Sequence, residues 1–332
     1  MRNLFLILTS LLLLSACFKE EEPRYSTVNF ETIVLGDDYD QQVFYSLYDT
    51  SIVSSNSFKE WNLAFYTGND ASFIRLNAAA SMWVIKTESN DFDESFGTTY
   101  NQSDKRFDGS HGFTDNLAID VIAPGSSTDT LFNQKMVYLI HPGIDALGNE
   151  LGDYKKFMFE GIYYDSYIIR YANLDGSDEQ RLIIPKDHTV SYLSLSWESN
   201  TLVIIEPDKT TWDLLFTRNT DTVYTTDGTE FLTGYAVTGA YLNAAGVEAY
   251  MEEEISYEDF QAGNIDPSRM STNCNAIGHT WKQFSDQYFI FKNKSYIIKD
   301  REGRYFKLRF LSFYDSQTGQ KGFPSFEFEL LQ

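Results

Sequence analysis

Side chains able to bind a metal or move a proton near neutral pH are scarce in this sequence. There are four histidines, His111, His141, His188 and His279, and imidazole can serve either purpose. His111 stands in Asp108-Gly109-Ser110-His111-Gly112, which reads as an exposed loop, and His141 precedes Pro142-Gly143 at the end of an apolar run, 136–140. His188 follows Asp187 and reads as a turn cap; His279 reads as a surface residue. Met82, Met136 and Met158 offer thioether sulfur, although methionine among strand aromatics is first of all core filling. Two acidic groups, Asp37, Asp38, Asp40 and Asp91, Asp93, Glu94, carry oxygen ligands without the Asp-x-Asp-x-Asp-Gly order of a calcium loop, and read as solvated turns. Gly-x-Ser-x-Gly, His-Glu-x-x-His and Gly-x-x-x-x-Gly-Lys are all missing, and no Ser, His and Asp spacing selects a triad. No enzyme is expected.

The two thiols differ in kind. Arg2 precedes an apolar run, 4–14, that ends in Leu14-Ser15-Ala16-Cys17. The run is too short for a transmembrane helix, which takes about 20 residues, and fits the apolar centre of a signal peptide. The small residues before Cys17 look like a bacterial lipobox, so residues 1–16 are expected to be a lipoprotein signal peptide and Cys17 the acylated anchor. Cys274 lies among Asn273, Asn275 and Ala276, where nothing lowers a thiol pKa, and is expected to be inert. No later stretch has transmembrane length, so an anchored, extracytoplasmic protein follows.

Composition narrows the class further. The chain has 332 residues, 42% apolar, with 26 Phe, 22 Tyr and only 7 Pro. Aromatics suit half-buried pleated surfaces, which points to β-structure. Its 48 Asp plus Glu against 26 Lys plus Arg give a formal charge of −22, a field that repels nucleic-acid backbones.

Beyond residue 25 the chain repeats itself. Trp61-Asn62-Leu63-Ala64-Phe65 recurs as Trp212-Asp213-Leu214-Leu215-Phe216, and Leu76-Asn77-Ala78-Ala79 as Leu242-Asn243-Ala244-Ala245. Ile144-Asp145 recurs as Ile265-Asp266, the stretch 151–157 as 277–284, and Tyr167-Ile168-Ile169-Arg170 as Tyr296-Ile297-Ile298-Lys299. The order is kept but the spacings change, so the first repeat (26–186) holds an extra segment within 78–143 that the second (187–332) lacks. Alternation of Trp61, Leu63, Phe65 and of Trp212, Leu214, Phe216 places the large side chains on one strand face. The stretch 304–314 reads as another strand, and Asp108-Gly109, Asp175-Gly176 and Asp227-Gly228 as hairpin turns. A helix is expected only over 244–262, where Ser256-x-x-Asp259 offers a cap. The expected fold is all-β, antiparallel sheets in two repeats with few short helices.

The same residues resemble the HmuY family, lipid-anchored haem-binding proteins of Bacteroidetes. The resemblance rests on Trp212 to Phe216 followed by Thr217-Arg218, on Ile277-Gly278-x-x-Trp281-Lys282, on Tyr296 to Lys299, on Tyr305 to Phe313, and on Lys321-Gly322-Phe323-Pro324-Ser325-Phe326. It covers most of the second repeat and the first more loosely, so the chain reads as two divergent tandem copies. The resemblance implies an all-β outer-membrane lipoprotein, exposed at the cell surface, that captures haem for iron acquisition and passes it to a TonB-dependent receptor. In that family the iron ligands come from the middle of the domain, and the matching middle of the first repeat holds His111 and His141. Position alone selects them. Met136, Met158 and His188 are weaker ligand candidates, and Lys105 and Arg106 could offset the acidity towards haem propionates. The acidic stretch after Cys17, within the linker 17–25, resembles surface-export tags of Bacteroidetes lipoproteins and reads equally as a solvated spacer. The competing expectation is an adhesin or glycan-binding lipoprotein that has lost haem, stacking sugars on Trp83 or Trp197.

Overall fold

The computed structural model describes residues 27–112, 116–120, 135–224 and 231–331. The signal segment, Cys17, the acidic linker to residue 25 and the Asp227-Gly228 turn lie outside the described residues. Alternating apolar residues dictate strands, and every strand pairing is antiparallel. The helical turns among the described residues are short 3-10 turns such as Phe58–Glu60 and Ala78–Ala80. No described helix is long and apolar enough to cross a membrane.

The described residues form four larger sheets and one two-stranded sheet, Lys282–Phe284 with Tyr288–Ile290. A six-stranded sheet contains Gln180–Pro185, Ser166–Asn173, Lys155–Tyr163, Val137–His141, Trp83–Lys86 and Lys105–Arg106, in that spatial order. A four-stranded sheet following Trp61 covers it, ordered Thr201–Val203, Tyr192–Ser196, Leu63–Tyr66 and Ile74–Leu76. Between these two sheets lies a core that includes Phe65, Tyr138, Phe157, Phe159 and Tyr167. A five-stranded sheet holds Asn29–Thr32, Lys321–Leu331, Tyr305–Tyr314, Ser295–Lys299 and Glu248–Glu252. It packs on a second four-stranded sheet, following Trp212, of Phe231–Leu242, Leu214–Tyr224, Gln41–Ser46 and Ser51–Ser57. That core includes Tyr45, Phe216, Trp281, Phe310 and Phe326. Each fully buried Phe or Leu contributes about 1.5–3 kcal/mol, so the aromatic excess is concentrated where it stabilises most.

Each Trp strand pairs with the hairpin that precedes the other one. In each repeat, a hairpin precedes the Trp strand: 41–57 in the first, 192–203 in the second. Yet Gln41–Ser46 pairs with Leu214–Tyr224, and Tyr192–Ser196 pairs with Leu63–Tyr66. The two pairings match atom for atom. Asp213 N–H donates to the Tyr45 carbonyl and Asn62 N–H to the Leu195 carbonyl, both at 2.8 Å. The side chain of Asp213 accepts from Leu47 N–H and that of Asn62 from Trp197 N–H, again both at 2.8 Å. This register makes Gln42 the counterpart of Tyr192, and Phe44 that of Ser194.

Three local expectations are corrected. The 244–262 stretch forms strand Glu248–Glu252 rather than a helix, because Ala249, Tyr250 and Glu252 are buried in pairing with Ser295–Lys299. Ser256 does cap Asp259 N–H, at 3.2 Å, but over a single turn. Asp108-Gly109 is no hairpin turn: the Asp108 carboxylate is buried, accepts from Leu76 and Ala118 N–H at 2.6 and 2.7 Å, and lies 3.9 Å from Arg75. Trp197 is buried beside Tyr171 and cannot stack on a sugar. Strand Tyr305–Tyr314 and the turn at Asp175-Gly176, where Gly176 takes φ 91°, form as expected.

Candidate functional site

A cleft of about 700 Å³ opens between the edge of the six-stranded sheet and the hairpin of the sheet following Trp212. Trp83 and Lys105 come from neighbouring strands at that edge, and Phe107 follows directly. Asp145 contributes from the loop 144–148, Arg218 and Tyr235 from the opposite hairpin, and Tyr39 from the turn before Gln41–Ser46. Gly234 lies so close to the Phe107 ring, at φ 75°, that any side chain there would collide with it. That contact brings the two walls together.

The electrostatics of the cleft are mixed. Lys105 Nζ lies 4.1 Å from the centre of the Trp83 ring, a cation–π contact. Arg218 is buried, and burial draws its pKa down despite the nearby Asp145 carboxylate. Burial and the neighbouring Tyr288 push the Tyr39 phenol up, so it is a neutral hydroxyl. Aromatic faces with two cations suit a flat, apolar, anionic ligand, and the volume falls in the usual ligand-site range of about 300–1,000 Å³.

Behind one wall sits His141. It pairs across strands with Trp83, and the two rings stack. Tyr154 meets the imidazole edge-on at 4.7 Å and donates nothing to it; the Trp83 indole N–H donates to the Tyr154 hydroxyl at 3.2 Å. His141 is only 3% exposed, and its Nδ1 accepts from Gly143 N–H at 3.0 Å. The proton therefore resides on Nε2, which faces Glu150 at 3.8 Å. Burial, helped by Lys105, lowers its pKa to about 4, so the ring is neutral at pH 7.

The other residues singled out from the sequence are dispersed. His111 lies in the 108–112 loop, against the second repeat: its carbonyl accepts from Cys274 N–H at 2.9 Å, and neighbouring Ser110 donates to Asp221 at 2.7 Å. His188 pairs with Asp165 at 2.6 Å on the surface. His279 is near Asp221, at 3.7 Å. Met158 is buried with Val137 and Leu139, Met82 is buried in the first core, and Met136 packs against that core. Neither of the two cavities described has a histidine or methionine in its wall. Arg106 pairs with Asp120 at 2.6 Å, whereas Lys105 does reach the cleft. Burial pushes the Cys274 thiol up, in keeping with an inert residue. Tyr39, Phe107 and Tyr235 carried no signal in the sequence, and Arg218 had only its place beside the Trp-Asp-Leu-x-Phe strand.

The fold is that of an antiparallel β-sandwich protein with a cleft where its two sandwiches meet. The family model described as HmuY protein matches residues 38–328 in one span across both repeats, and the chain belongs to the HmuY family. No curated protein matches. Similar solved structures include apo PinO from Porphyromonas gingivitis, at 9% identity and TM-score 0.34, covering 92% of this chain and 99% of that one. The apo HmuY analogue of Tannerella forsythia is another, at 10% identity and TM-score 0.25, covering 93% and 98%. The family assignment rests on the family model.

Proposed function

We propose that this protein is a lipid-anchored haem-capture protein of the cell surface, without turnover, that holds haem in the Trp83 cleft and passes it to a TonB-dependent outer-membrane receptor. The observation that carries the reading is the cleft itself, aromatic-walled and furnished with Lys105 and Arg218, in a chain of the HmuY family. Phe107, and Trp83 once it leaves the His141 stack, offer faces for the porphyrin, and the two cations offer partners for its propionates. Among the four histidines, His141 stands directly behind a cleft wall, and ligation of the iron by its Nε2 needs Trp83 to leave the stack. Anchoring through Cys17 supplies the membrane attachment.

The test is a haem titration of the protein followed in the visible spectrum, oxidised and reduced. A saturable one-to-one Soret shift is expected, weakened by Lys105→Glu, with low-spin bands lost in His141→Ala. A non-saturating response overturns haem capture. Full low-spin bands in both His141→Ala and His111→Ala overturn the histidine ligands instead.

One observation favours a second reading, glycan binding. Tyr163 and Tyr164 project from a hairpin tip, 50% and 69% exposed, as a platform on which sugar rings could stack. Glycan-array binding lost in Tyr164→Ala, without a Soret response, would support it.

A further inference from the structure

A second cavity, of about 160 Å³, lies where the two four-stranded sheets face each other. Corresponding residues of the repeats line it in pairs: Trp61 with Trp212, Ala78 with Ala244, Gln42 with Tyr192. Both repeats therefore contribute to the lining, yet its two sides differ in hydrogen bonding. On one side Trp61 Nε1 donates to Gln42 Oε1 at 2.8 Å, and Gln42 Nε2 donates to Thr217 Oγ1 at 3.0 Å. On the other side Tyr192 replaces Gln42, and the Trp212 indole has lost the matching acceptor.

Two polar atoms on that side are buried without a hydrogen-bond partner, Trp212 Nε1 and Glu206 Oε1. The other Glu206 oxygen accepts from Ser191 and Tyr192 N–H at 3.0 and 2.8 Å, which fixes the carboxylate in place. The Trp212 N–H lies near enough to favour the carboxylate's charge but closes no bond with it. Burial still pushes Glu206 up to about 7. Each unpartnered buried group costs about 1–3 kcal/mol, so these two adjacent atoms form a polar end that a ligand would complete.

We propose that this second cavity binds a small monohydroxylated aromatic molecule of phenol size. A hydroxyl both donates and accepts, so one group bridges Glu206 Oε1 and Trp212 Nε1, while the ring lies against Phe44 and the alanines of the two Leu-Asn-Ala-Ala motifs. The volume suits one ring, since a cavity of about 150 Å³ holds a benzene molecule. This site is separate from haem capture and stands or falls on its own.

The test is calorimetric titration of the full chain with phenol and with toluene at pH 8, with tryptophan fluorescence as a second readout. One saturable phenol site is expected, about tenfold or more tighter than for toluene, because a hydrogen bond to a charged acceptor contributes that much. Glu206→Gln should weaken phenol about tenfold and leave toluene unchanged. Ala64→Leu, which copies Leu215 at the corresponding position, should fill the space and abolish both; unfolding midpoints confirm that the variants fold. The proposal is overturned if the unaltered chain shows no saturable phenol binding, which would leave water as the only occupant. It is equally overturned if Glu206→Gln leaves phenol affinity unchanged, a result that decides the matter even if Ala64→Leu fails to fold.

Discussion

Trp83 lies face to face on His141, ring centroids 3.7 Å apart and planes 8° apart. The pair is directly opposed across two antiparallel strands, and Lys105 stands over the same indole. The stack holds a neutral imidazole behind the cleft wall. Protonating it would add a second cation beside Lys105 in a buried place, which costs free energy.

That cost has a pH signature. The folded-state pKa of His141 is about 4, below the unfolded value of 6.5, so between those values the unfolded chain binds more protons. The stabilisation is complete above pH ~6.5 and is lost as pH falls towards ~4. Glu206 opposes it: a carboxyl raised from 4.5 to about 7 contributes stability below pH ~4.5 that is lost as pH rises through ~7. His141→Gln should therefore reduce acid sensitivity between pH 4 and 6.5, and Glu206→Gln should remove the opposing slope. Urea unfolding at several pH values reads both, and an NMR titration placing His141 near 6.5 would contradict the buried stack.

Asn77 and Asn243 test the repeat. The Asn77 side-chain amide donates to the Phe58 and Trp61 carbonyls at 2.6 and 2.8 Å, and the Asn243 amide to the Lys209 and Trp212 carbonyls, both at 2.8 Å. Both residues are fully buried. Asn77→Ala and Asn243→Ala should each destabilise by about 2–4 kcal/mol in urea unfolding, since each strands two buried carbonyls. A loss under 1 kcal/mol in either would show that the carbonyls find other partners.

This cross-pairing of hairpins makes each half depend on the other. A fragment of residues 187–332 lacks the 41–57 hairpin and exposes the edge of strand Leu214–Tyr224. It should show a poorly dispersed amide spectrum and a tendency to aggregate, whereas the full chain unfolds cooperatively. A well-dispersed fragment spectrum would show that the hairpin is dispensable.

Gly143 sits at φ 92°, where a methyl group would overlap the Ala80 carbonyl oxygen, already the acceptor for Ile144 N–H at 2.7 Å. Gly143→Ala should lower stability by about 2 kcal/mol or more and disturb the 144–148 rim of the cleft. Gly148→Ala is the control in the same loop: it also has positive φ but open space around it, so its loss should be smaller.

The elements were legible from local sequence because their cause is local. Alternation at Trp61, Leu63, Phe65 and at Trp212, Leu214, Phe216 needs only a two-residue period, and the repeated Leu-Asn-Ala-Ala marks the same turn twice. The family resemblance came from local motifs, Trp212 to Arg218, Ile277 to Lys282, Tyr296 to Lys299 and the closing stretch from Tyr305, and the family model bears it out. The 244–262 stretch misled because its glutamates and alanines favour a helix in isolation, while burial of Ala249 and Tyr250 against a neighbouring strand decides otherwise. Which hairpin pairs with which Trp strand is a choice among chemically similar edges, and only the packed structure makes it. His141 ends an apolar run in the sequence, but its neutrality comes from Trp83, Lys105 and Gly143, which meet only across strands and loops. The cleft and the second cavity likewise arise between sheets, from residues that are far apart along the chain.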